Sequence, residues 1–83
     1  MPYIKQERRE ALDLIVKEMI VRDVIADGDL NYILYKHCKN HIKPSYNNYK
    51  NFCGELRQCA TEIERRLLAK YEDEKIKENG DVD

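Results

Sequence analysis

Between Asp29 and Glu55 the chain carries Lys36, Lys39, Lys43 and Lys50 and no acidic side chain, although Asp and Glu number 16 in its 83 residues. This window holds the residues best suited to binding an anion. Lys36, Lys39, His41, Lys43 and Lys50 flank the Pro44-Ser45 pair. A helix opening after Ser45 presents free backbone amides and the positive end of its dipole, a ready place for phosphate. Tyr46 and Tyr49 supply faces on which a base can stack, and Asn47 and Asn48 can read a base edge. Tyr32 and Tyr35 lie close by in sequence. The parts suit a nucleotide or cyclic nucleotide. The plainer reading has tyrosines at the edge of a core with wet hydroxyls and lysines that balance acids elsewhere.

Two other constellations could do chemistry. His37 and His41 are one helical turn apart with Cys38 beside them. A structural zinc site needs four placed ligands, and no CxxC pair accompanies this one. The sequence therefore predicts no metal and no cofactor. Glu7, Glu10 and Asp13 form an acidic run, and Asp27 and Asp29 a second. Around the latter, GDLNYIL is faintly similar to a helix of the all-helical, magnesium-dependent nucleoside triphosphate pyrophosphohydrolases. That chemistry needs carboxylates from facing helices converging on metals. Here about 20 residues of helix, roughly 30 Å, separate the two acidic groups, so only an antiparallel dimer could bring them together. There is no phosphate-cradling glycine loop and no nucleophile motif. The expectation is a protein that is not an enzyme.

Helical periodicity dominates the chain. Three helices are predicted, at about 6–26, 29–42 and 45–70. The first carries Leu12, Ile15, Val16 and Met19 on one face and a second stripe of Leu14, Val21 and Ile25. Its apolar surface is wider than a core-facing stripe requires. Gly28 suits the left-handed turn that closes this helix, and Asp29 suits the cap of the next. The second helix turns Leu30, Ile33, Leu34 and Cys38 inward, and Pro44 ends it. Ser45 caps the third, along which Tyr49, Phe52, Cys53, Leu56, Ala60, Ile63, Leu67 and Tyr71 keep one face apolar. Gly54 inside it suits a close helix crossing. The fold class is all-α: a small bundle, completed by oligomerisation because the third helix outreaches the other two, with a charged tail at 72–83.

One domain is the limit for this length, and such domains commonly recruit another subunit. The formal net charge of −1 excludes a general attraction to DNA or anionic membranes. Helices two and three mimic a helix-turn-helix, but the recognition helix would continue into an apolar, acid-containing face, so DNA is not the expected partner. Three cysteines, no apolar leader in MPYIKQERRE and no spanning segment point to a cytoplasmic protein with reduced thiols.

The opening MPYIKQ, the central GDLNY and the closing YEDEKIKENGDV, with Gly54, Leu56, Cys59, Glu62, Arg65 and Arg66 between them, resemble a small protein family of bacteria and their phages, a domain of unknown function. The resemblance spans nearly the whole chain and carries no chemistry. It implies that the tail docks, with Glu72 and Asp73 pairing to Arg65, Arg66 or Arg9 of the same or a neighbouring chain. Phage proteins of this build that sequester nucleotide signals offer an analogy. The expected function is thus a non-enzymatic homo-oligomer that sequesters an anionic nucleotide-type ligand in its host's cytoplasm. The alternatives are a self-assembling or protein-binding module without a ligand, and a pyrophosphohydrolase-like enzyme.

Overall fold

The computed structural model describes residues 4–82. Met1, Pro2 and Tyr3 of the MPYIKQ motif and Asp83 of the tail lie outside the described residues. Every regular element among those described is helical: α1 (Gln6–Val21), α2 (Asp29–His41), α3 (Tyr46–Ile63), a π turn (Glu64–Leu68) and α4 (Ala69–Asn79). The chain divides after Pro44 into two units, one holding α1 and α2 and the other everything from Ser45 on.

In the N-terminal unit α1 stops at Val21, short of the expected Ala26. The cause is a helix-ending motif built on Asp23, whose φ is +54°. The Val24 amide donates to the Met19 carbonyl at 2.9 Å and the Asp23 amide to that of Ile20 at 3.0 Å. These two bonds are the Schellman pattern, which normally adds an apolar contact across the turn. Met19 and Val24 stand at those two positions, and both are half-buried. Aspartate tolerates the left-handed region because its short polar side chain bonds locally. Gly28 does take positive φ, +95°, but it is itself the N-cap of α2. Asp29 is the first helical residue, not the cap, and its carboxylate in the first turn favours the positive end of the helix dipole.

In the C-terminal unit Ser45 caps α3 as expected, its Oγ accepting from the Asn48 amide at 3.0 Å. The helix does not end near residue 70. It passes through the π turn, where the Ala69 amide donates to Glu64 O, and continues as α4 to Asn79. Backbone at Ile63, Glu64, Leu68 and Ala69 is helical throughout. The result is one continuous helix of about 50 Å at 1.5 Å per residue. What the sequence presents as a charged tail, from residue 72, is mostly the last two turns of that helix.

Neither unit has a buried residue among those described. Leu12, Met19, Val24, Leu34, Cys38 and Ile42 are half-buried in the first, Phe52 in the second. Leu30 and Ile33, expected inside, are each 36% exposed. Among the described residues no helix is long and apolar enough to cross a membrane. Within its own unit, which is a single continuous helix, the close crossing expected at Gly54 has no second helix, and a Cβ there would meet no atom beyond its neighbours and the nearby helix backbone within 4 Å.

Two glycines therefore have opposite expectations. Gly28→Ala puts a side chain in a region that L residues rarely adopt and should cost about 1–2 kcal/mol. Gly54→Ala removes a helix-weakening glycine from open space and should stabilise by up to about 1 kcal/mol. Urea denaturation midpoints at fixed protein concentration measure both.

Candidate functional site

The residues singled out for anion binding fall on both units. Lys36, Lys39, His41 and Lys43 belong to the first, and Ser45, Tyr46, Asn47, Tyr49 and Lys50 to the second. On α2, the Lys36 ammonium lies 5.5 Å from the Tyr32 ring centroid and 3.4 Å from the Tyr32 hydroxyl. Lys39 and His41 occupy the last turn. A cation there satisfies the negative end of the helix dipole, which is a structural role in its own right. The His37 and His41 rings approach to 5.3 Å with a tilt of 32°. Among the described residues no three His, Cys, Asp or Glu side chains converge as metal ligands. Glu7 stands in the first turn of α1 and Asp29 in the first turn of α2.

The second unit offers a denser arrangement. Tyr46, Asn47 and Asn48 follow the Ser45 cap as the first residues of α3, whose first turn has no acid. Helix-opening amides lack partners within the helix. Tyr46 is 81% exposed, and the Lys50 ammonium lies 5.7 Å from its ring centroid. Tyr49, one turn from the cap, is 42% exposed. A ring, a cation and an amide-lined helix start thus stand together, open to solvent, on a single helical turn.

The tyrosine–lysine pairing is a feature that the sequence reading missed. Tyr32/Lys36, Tyr46/Lys50 and Tyr71/Lys75 all adopt it, the last at 5.6 Å. The signal was a four-residue spacing, which places ring and ammonium one turn apart on a helix. Near the middle of the unit, Arg65 and Arg66 both reach Glu62, at 3.0 and 2.9 Å. Arg9 donates to Ile4 O and Gln6 Oε1, at 3.1 and 3.2 Å. Glu72 and Asp73, to which these arginines were to dock, lie in the first turns of α4.

The family model for a domain of unknown function, DUF6899, matches residues 1–82, and the chain belongs to that family. No curated protein and no solved structure matches it.

The cap that opens the candidate site can be tested directly. Ser45→Ala removes the acceptor for the Asn48 amide and should cost about 1 kcal/mol of stability, whereas Ser45→Asp should keep it. Thermal or urea unfolding of the two variants side by side measures the difference.

Proposed function

We propose, from the premise of DUF6899 membership, that this chain is a non-enzymatic module which functions by assembling with copies of itself. The observation that supports this is the absence of any buried residue among those described. On α1 the Leu14 and Val21 side chains, half a turn round from Leu12 and Met19, are 69% and 70% exposed. On the long helix, exposed apolar residues recur from Tyr46 to Tyr71. Contiguous exposed apolar surface on a soluble protein marks an interaction site. A short chain that cannot fill a core commonly gains its stability from another subunit.

A second reading is favoured by the Tyr46–Lys50 pair at the acid-free start of α3. In it the module binds an anionic nucleotide-type ligand without turnover. The base stacks on Tyr46, and the phosphate meets the helix-opening amides and Lys50. Sequestration of a phage or bacterial nucleotide signal is the corresponding role, by analogy of size and class alone.

Both readings are tested on the purified full chain. Sedimentation across a concentration series should show reversible association. Thermal shift against a panel of nucleotides and cyclic nucleotides, without divalent metal, tests the second. A ligand at a hundred times its Kd stabilises by about 2.7 kcal/mol. Tyr46→Ala should then weaken binding by about 1–3 kcal/mol, the value of one base–aromatic stack. A monomer at every concentration sinks the first reading and a panel with no shift sinks the second. Metal-dependent phosphate release would sink both in favour of an enzyme.

A further inference from the structure

We infer that the long helix pairs with the same helix of a second copy, antiparallel, about a two-fold axis beside Gln58. This rests on the self-assembly reading and assigns its surface and orientation. The argument starts from spacing. Tyr46, Tyr49, Cys53, Leu56, Ala60 and Ile63 advance by alternate steps of three and four, the pattern that keeps a seam on one side of a helix. All six are exposed.

Past Ile63 a regular α-helix would bring Leu67 and then Lys70 to the seam. The π turn at Glu64–Leu68 takes up one extra residue. It rotates the following turns by about one residue, so that Leu68 and Tyr71 continue the seam and Lys70 leaves it. The helix irregularity falls where the apolar pattern needs it. Leu68 and Tyr71 are likewise exposed, at 47% and 57%.

Side-chain size and charge set the direction. Antiparallel pairing about Gln58 places Leu56 against the second copy's Ala60 and Cys53 against its Ile63. Tyr49 meets Leu68, and Tyr46 meets Tyr71. Large residues face small ones near the axis, as close packing demands. On one flank Lys50 lies across from Glu64, twice by symmetry. On the other, Phe52 lies across from Arg66. Arg57 faces its own copy at the axis and is the one unfavourable flank contact. Parallel pairing would set Ala60 against Ala60, leaving a void. It would also place Glu64 against Cys59 and Arg57 against Phe52, and keep Lys50 away from Glu64.

The antiparallel register further brings Glu72 to the start of the partner's α3. The dipole is positive there, and the first turn holds no acid of its own. The acid-free end of the isolated helix is its N-terminus, where the dipole favours acids, and the run Glu72-Asp73-Glu74 lies toward the other end, although Lys77 occupies the last turn. An antiparallel copy turns that arrangement into complementarity.

Two exposed thiols report the direction without mutation. Cys53 and Cys59 are both free and exposed. Antiparallel pairing sets the two Cys59 side chains on either side of the two-fold axis, offset by about 3 Å along the helices, and the two Cys53 side chains about 15 Å apart along them. The experiment treats the full-length protein with a short bismaleimide and maps the links by mass spectrometry. In parallel it measures dimer dissociation for Lys50→Glu, Glu64→Lys and the double swap. The expected result is a Cys59–Cys59 link, about tenfold weaker association for each single variant and recovery in the double, because two opposed pairs become like-charged in each single. A dominant Cys53–Cys53 link, or dissociation unmoved by the charge variants, overturns the antiparallel seam while leaving self-assembly intact. A wild-type chain that stays monomeric overturns both.

Discussion

Backbone hydrogen bonding makes the helix from Tyr46 to Asn79 possible but does nothing for the side chains on its surface. A helix of this length is mostly stabilised by covering an apolar face, since propensity alone leaves isolated helices marginal in water. Phe52 is the sole half-buried large apolar side chain in the described part of its unit. Tyr49, Leu56, Ile63, Leu68 and Tyr71 keep between 38% and 57% of their surface in solvent. The rest of the molecule's physical chemistry follows from this uncovered seam. The pairs Glu18–Arg22, Glu62–Arg65, Glu62–Arg66 and Lys75–Glu78 are local, three or four residues apart. Such pairs contribute only about 0–1 kcal/mol each and cannot replace a core.

The distribution of acids belongs to the same problem. Within a single helix, acids favour the first turn and bases the last. α2 obeys, with Asp29 at its start and Lys39 and His41 at its end. The long helix obeys only at its end, where Lys77 occupies the last turn. Its first turn is free of acid, and Glu72, Asp73 and Glu74 follow one another near its other end. A lysine-rich, acid-free stretch therefore has two physical uses: it can attract a small anion, or it can receive the acidic end of another helix.

Much of this was legible in the sequence, and the misses have specific causes. The all-helical class and the Ser45 cap follow from apolar spacing and cap chemistry, which are local; the positive φ of Gly28 was legible too, but not that it caps α2 and leaves α1 to be closed at Asp23. The end of α1 was hidden because Val21 and Ile25 prolong the apolar pattern, while the stop signal is an aspartate in a glycine's usual place. Its readable trace was the Met19–Val24 spacing, the apolar pair of a Schellman turn. The π turn was hidden for a different reason. Leu67 satisfies an ordinary helical spacing after Ile63, so nothing demands an extra residue until Tyr71 is reached. Gly54 misled because a glycine inside a helix suggests a crossing, and its own unit holds no second helix to cross α3. Of the candidate site, the residue types were readable, but their division between two units and the ring–ammonium pairs required coordinates.

The two uses of the α3 start meet on one side chain. Tyr46 is the open ring that would stack a base, and in the antiparallel seam it is the ring that meets Tyr71 of the second copy. A ligand on that face and a partner on that face exclude each other. Linkage then makes the two equilibria interdependent: whatever binds Tyr46 in the unpaired chain must loosen the pair by the same factor that pairing weakens the ligand. Lys50 tightens this coupling, since its ammonium serves the Tyr46 ring in one state and Glu64 of the second copy in the other. If the chain does both, a ligand-binding module and a self-assembling one are two ends of a single equilibrium, with its balance set at the exposed Tyr46–Lys50 turn.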